Sequence, residues 1–132
     1  MAIIVYNRTR EDHSSNPNNY PIFRGASILG NPYTHIKDKA TKAFQVVDSR
    51  EEAIELYDRY FDLMYENSQM FKDVVDEIYE KYKSGVDVYL ECYCGEGTDG
   101  KKNCHGEVIK EKLQKRLLKE KINQRLNGKN TI

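Results

Sequence analysis

The residues best equipped for chemistry gather between positions 92 and 105: Cys92, Cys94, Cys104 and His105. Three thiols and one imidazole are the donor set of a structural zinc site. The spacing argues against one. Alternate residues on a strand stand about 6.6 Å apart at Cα, too far for Cys92 and Cys94 to reach one ion, so no metal is expected. Cys92 then reads as a small buried hydrophobe on one sheet face, with Cys94 at the strand's end. Cys104 sits where a helical pattern opens, and unpaired N–H groups and the helix dipole favour a thiolate there. Should the chain be an enzyme, Cys104 or Cys94 is the nucleophile and His105 the acid or base. His13 and His35 lie in polar stretches and read as surface residues.

The same segment also reads as an anion site. Gly95, Gly97 and Gly100 allow close backbone approach, Lys101 and Lys102 bring positive charge, and the helix that follows offers N–H donors. A plain surface loop is the competing reading. No G-x-x-x-x-G-K-[ST] run, G-x-S-x-G elbow, H-E-x-x-H pair or dinucleotide fingerprint is present. Towards the start of the chain, Asn7 and Arg8, Arg24 and Gly25, then Gly30-Asn31-Pro32-Tyr33 form a second group. Arg8 or Arg24 can meet a phosphate and Tyr33 can stack on a base. Packing of the loop is the alternative for Tyr33.

The elements that must position these residues follow from periodicity. Residues 2–6, Ala-Ile-Ile-Val-Tyr, make a short β-branched run that reads as a buried strand. Residues 7–20 are rich in Asn, Asp, Ser and Pro, a composition that makes turns. Tyr20–Phe23 and Ala43–Val47 are candidate short strands. Ser49-Arg50-Glu51-Glu52 has capping-box spacing, and Ala53, Leu56, Tyr57, Tyr60, Phe61 and Met64 form one helical stripe after it. Asn67-Ser68 interrupts the stripe. A second helix then carries Met70, Phe71, Val74, Val75, Ile78 and Tyr82 to a stop at Gly85. Val86–Cys94 is the clearest strand, and a long helix bearing Val108, Ile109, Leu113, Leu117, Leu118, Ile122 and Leu126 runs towards Gly128.

Composition bounds the answer. The chain has 132 residues, enough for one core, with 39% hydrophobic and 32% charged residues, the balance of a folded globular protein. Residues 1–132 are therefore expected to form one domain, with 119–132 a protruding helix end and frayed tail. Twenty-one bases against 21 acids give no net field towards nucleic acid or an anionic membrane. No apolar run approaches the roughly 20 residues of a membrane span, and the start lacks a signal pattern, so a cytoplasmic location is expected. An odd count of three cysteines argues against a disulfide framework. Charge is nonetheless divided: residues 48–82 carry −7 and residues 101–129 carry +7. Acidic and basic helices are thus expected to meet, within a chain or between copies.

Taken in order, Asn7-Arg8, Arg24-Gly25, Gly30-Asn31-Pro32-Tyr33, the Ser49 helix, Cys92-x-Cys94 and Cys104-His105-Gly106 resemble a family of small uncharacterised domains frequent in bacteriophage genomes. The resemblance covers most of residues 3–118. The family often has tryptophan before G-N-P and between the two cysteines, where this chain has Leu29 and Tyr93. The chain is also similar, more distantly, to viral sponges that hold nucleotide immune signals of the host away from their effectors. That likeness implies a homo-oligomer, no turnover, and recognition by aromatic stacking with Arg or Lys on phosphates; no cofactor is expected.

The expected fold is a single α/β domain, a partly parallel sheet flanked by helices with a long C-terminal helix. Ligands of such sheets bind beyond the carboxyl ends of the strands. The expected ligand residues are Asn7, Arg8, Arg24, Gly25, Asn31, Tyr33, Cys94, Gly97, Lys101 and His105. The leading expectation is a phage-type protein that sequesters a cyclic dinucleotide or related signal. The alternatives are an enzyme on a nucleotide or ribosyl substrate, and a non-catalytic host-interaction protein.

Overall fold

The computed structural model describes residues 2–23, 27–34, 45–47, 49–92 and 104–130. In chain order the elements are β1 (Ile3–Asn7), β2 (Asn19–Pro21), β3 (Tyr33–Thr34), β4 (Gln45–Val46), α1 (Arg50–Asn67), α2 (Gln69–Lys83), β5 (Val88–Cys92) and α3 (His105–Asn130). The architecture is α/β, with a three-stranded sheet in the order β1-β5-β2 and a separate two-stranded pair of β3 and β4. Every strand pair among the described residues is parallel, and the expectation of a partly parallel sheet with a long C-terminal helix holds.

The last strand in sequence is the central one. Its register sets Ile3 beside Val88 and Asn7 beside Cys92 on one side, and Asn19 beside Tyr89 and Pro21 beside Glu91 on the other. Alternation along the strands divides the faces. Ile3, Val5, Val88, Leu90 and Cys92 join Tyr57, Phe61, Phe71, Ile78, Val108, Ile109 and Leu113 in one core under the three helices. Ile4, Tyr6, Tyr89 and Glu91 alternate with them and face the other way, where residues 8–18 cross. There His13 stacks on the Tyr89 ring at 4.3 Å and meets the Tyr6 ring edge-on at 4.8 Å.

Helix boundaries follow local chemistry. The Ser49 side chain accepts from the Glu52 N–H at 3.1 Å and starts α1. Ser68 ends α1, donating its N–H to the Met64 carbonyl, and starts α2, its hydroxyl accepting from the Phe71 N–H. Gly85, at φ +97°, closes α2, with Gly85 N–H donating to Tyr82 O and Val86 N–H to Lys81 O. These paired bonds need a left-handed residue, which glycine adopts without steric cost. Val86 is thus part of the helix stop, so β5 begins at Val88, two residues later than the sequence suggests. The second strand also lies earlier than Tyr20–Phe23, because Asn19 already pairs with Tyr89. Tyr33, read as a loop residue, opens β3.

Charge complementarity operates within the chain. Lys112 of α3 bridges Asp58 and Asp62 of α1 at 2.7 and 2.9 Å, and Arg116 meets Asp76 of α2 at 2.9 Å. No helix among the described residues is long and apolar enough to cross a membrane.

Candidate functional site

Because the strands are parallel, Asn7, Pro21 and Cys92 all lie towards one edge of the sheet. Backbone bonds prolong the pairing there: Arg8 N–H donates to Cys92 O at 2.9 Å and Ile22 N–H to Glu91 O at 2.8 Å. Arg8 follows β1 and Phe23 lies two residues beyond β2. The Arg8 guanidinium lies 5.3 Å from the Phe23 ring centroid and 3.7 Å from Glu91 Oε2. Its side chain is 45% exposed while that of Glu91 is 7% exposed, so the cation stands between a buried carboxylate and solvent. Asn7 does not reach outward: its Oδ1 accepts from Thr9 N–H at 2.9 Å and from the Thr9 hydroxyl at 2.6 Å.

Glu91 is compensated from several directions. The Tyr6 hydroxyl donates to its Oε1 at 2.9 Å, and Asn19 Nδ2 donates to the same oxygen at 3.2 Å. Burial first, then the hydrogen bond and charge of Glu91, hold the Tyr6 phenol above its ordinary pKa. Sequence reasoning missed Glu91, Tyr6, Asn19 and Phe23 as site residues. The available signal was a carboxylate between Leu90 and Cys92 in the clearest strand of the sequence, which needs partners if buried.

The Cys104-His105-Gly106 triplet lies at the start of α3 and performs three local tasks. Cys104 Sγ accepts from Gly106 N–H at 3.4 Å, while Cys104 N–H donates to Glu107 Oε2 at 3.2 Å, so thiol and carboxylate together cap the first turn. His105 Nε2 lies 2.6 Å from Ile22 O. A carbonyl only accepts, so Nε2 carries a hydrogen, and Nδ1 lies 3.6 Å from Cys104 Sγ. Gly106 lets the helix press onto the sheet: a Cβ there would stand 2.7 Å from Ile22 Cδ1 and 3.0 Å from Val5 Cγ1. Cys104 is 2% exposed and His105 9%, so the thiol and imidazole face protein more than solvent.

The Asn31 to Tyr33 group is bound to α1. Asn31 is buried, donates through Nδ2 to Ala53 O at 3.2 Å and accepts the Tyr33 N–H at 2.9 Å. The Tyr33 ring meets Tyr60 edge-on at 6.3 Å. Tyr57 links this group to α3: its hydroxyl donates to Leu29 O at 2.7 Å and its ring lies 4.8 Å from that of His105. Arg8, Phe23 and Glu91 are therefore drawn into direct proximity, and His105 is fastened to Ile22 one residue from Phe23. Tyr57 connects the segment that holds Asn31 and Tyr33 to this edge, through Leu29 O and the His105 ring. Arg24, Gly25, Cys94, Gly97 and Lys101 lie outside the described residues.

Cys92 is buried, with Sγ 3.5 Å from Tyr6 O, consistent with a packing role. Among the described residues no three His, Cys, Asp or Glu side chains are grouped to hold a metal ion. An open groove of about 500 Å³ runs between α1 and α3 beside Phe61, Tyr65 and Lys112, among the helices and lined by none of the carboxyl-edge residues.

The chain belongs to the family described as Domain of unknown function (DUF4326), whose pattern matches residues 5–115. No curated protein and no solved structure matches it. The matched span runs from the middle of β1 to the buried half of α3, and so includes Arg8, Phe23, Glu91 and His105.

Proposed function

We propose that this member of the DUF4326 family binds a nucleotide-type anion at the carboxyl edge of its sheet and releases it unchanged. The observation that carries this reading is Arg8, a half-exposed guanidinium above the Phe23 ring with the buried Glu91 carboxylate behind it. A guanidinium fixed in this way can meet a phosphate while an adjacent ring takes a base. Arg24, Gly97 and Lys101 would add to the cradle, on the reading of the sequence alone. A cyclic dinucleotide or related immune signal is the ligand to test first, bound by a homo-oligomer in the cytoplasm, that of the host if the chain is phage-encoded.

The decisive experiment is a thermal-shift screen against linear and cyclic nucleotides, followed by heat release and mass analysis of the bound ligand. A ligand at 100 times its Kd stabilises the native state by about 2.7 kcal/mol. The expected result is a raised midpoint, recovery of the intact nucleotide, and loss of the shift in Arg8→Ala. Absence of any shift at millimolar nucleotide would overturn the proposal. The 3.6 Å contact between Cys104 and His105 supports a second reading, turnover of a nucleotide or ribosyl substrate by a thiol and imidazole. It requires a new product in the released ligand and loss of that product in Cys104→Ser.

A further inference from the structure

Two helices of this chain carry solvent-facing apolar rows that its own core does not use. On α3, Leu118, Ile122 and Leu126 are 59, 49 and 55% exposed and recur every four residues. They form one narrow row on the side away from Leu113 and Leu117, which are buried. Lys115 and Lys119 flank the row on one side, Lys121 and Arg125 on the other. Lys112 and Arg116 are engaged with acids of α1 and α2, whereas Lys119, Lys121 and Arg125 have no carboxylate partner among the described residues. On α1, Leu63 is 60% exposed and stands a heptad after the half-buried Leu56, with Glu52, Glu55 and Glu66 beside them. Met70, 71% exposed, lies just beyond the Ser68 break.

The shape of the α3 row selects its occupant. A helix that lies in a lipid surface needs a broad apolar face with its bases opposite, whereas this row is one side chain wide with bases on both flanks. Such a row suits a second helix. The same α3 row of another copy is a poor candidate, because antiparallel pairing about Ile122 sets Lys119 against Arg125. The α1 surface has the opposite flank: Glu52, Glu55 and Glu66 stand beside Leu56 and Leu63 with one base among them, Arg59, 3.9 Å from Glu55, so this face keeps a net negative charge. Complementary flanks of this kind fix partner and orientation.

We infer that the exposed half of α3 docks on the acidic outer face of α1 in a second copy of this chain, with Ile122 and Leu63 at the contact. A reciprocal contact closes as a dimer. The inference deepens the homo-oligomer part of the proposed function and does not depend on any ligand.

Light scattering on the purified chain tests it without nucleotide, so its failure is separate from failure of the ligand proposal. The expected mass is about twice 15.4 kDa at low salt, falling towards the monomer in high salt. Ile122→Asp, at an exposed position, should give a folded monomer that melts at the midpoint of the parent chain diluted to its monomeric form. Charge reversal supplies a second arm. Glu55→Lys with Glu66→Lys makes both surfaces basic; Lys119→Glu with Arg125→Glu makes both acidic. Each variant alone should be monomeric, and their equimolar mixture should recover the doubled mass. A monomeric parent chain at 100-fold the working concentration, self-association of either variant alone, or a mixture that stays monomeric would overturn the inference. So would a monomer that binds anionic phospholipid vesicles through Ile122, which would assign the row to a lipid surface.

Discussion

Nε2 of His105 lies 2.6 Å from the carbonyl oxygen of Ile22, tying the first turn of α3 to the residue that follows β2. The two residues are 83 positions apart, and the bond holds together the helix and strand that border the candidate site. His105 thus has a structural task that any chemical role would have to share.

His105→Leu should lower stability by about 1–3 kcal/mol, because the buried Ile22 carbonyl loses its donor. Cys104→Ser should stay within about 1 kcal/mol of the parent, since a hydroxyl is the commoner acceptor at a helix start. Urea unfolding of both variants checks this, and a His105→Leu chain as stable as the parent would refute the tether.

Gly106→Ala sets a gain in helix propensity of about 1 kcal/mol against overpacking of about 1–3 kcal/mol. The new methyl would meet Ile22 Cδ1 and the stiffer Val5, so a net loss of about 1 kcal/mol is expected. Ile22→Val removes the nearer atom. In that background Gly106→Ala should be nearly neutral, giving a coupling of about 1 kcal/mol in a double-mutant cycle. Additive effects would show that α3 has slack at this point.

Alkali should unfold the chain through its tyrosines. Burial holds the phenols of Tyr6 and Tyr57 above the ordinary range, and burial together with the Glu120 carboxylate pushes Tyr79 up to about 12. Raised folded values favour the protonated phenol, so the stability they contribute is complete below the unfolded value of about 10. It is lost as pH climbs through the raised values. Stability should therefore stay flat from neutrality to about pH 9 and fall cooperatively above about pH 10, with phenolate absorbance rising in step. Tyr6→Phe should cost about 1–2 kcal/mol at pH 8, since Glu91 loses a donor, and should shallow the alkaline slope. A chain that stays folded with all ten of its tyrosines ionised would contradict the burial of these rings.

Much of the helical layer was readable from the sequence because its signals are local. Ser49, Ser68 and Gly85 mark helix ends with groups that act within five residues, and all three act as their types suggest. The parallel α/β class was legible as well, from a strand that feeds a helix. The strand order was not, since nothing near Val88–Cys92 says that it will lie between two strands from the first 21 residues. The same limit hid the partners of Glu91. Tyr6, Asn19 and Arg8 reach it across 72 to 85 positions, and no spacing rule links them. Cys104-His105-Gly106 drew attention as reactive chemistry because thiol and imidazole are adjacent. Their contacts with Ile22 and Val5 became visible only in three dimensions.

The central position of β5 governs when the chain can mature. β1 and β2 do not pair with one another through their backbones; each waits for residues 88–92. During synthesis the first strand must leave the ribosome and remain unpaired until more than 80 further residues have been added. The three-stranded sheet is thus assembled late, and a nascent chain arrested before Val88 has its first two helices but lacks the central strand that joins β1 to β2.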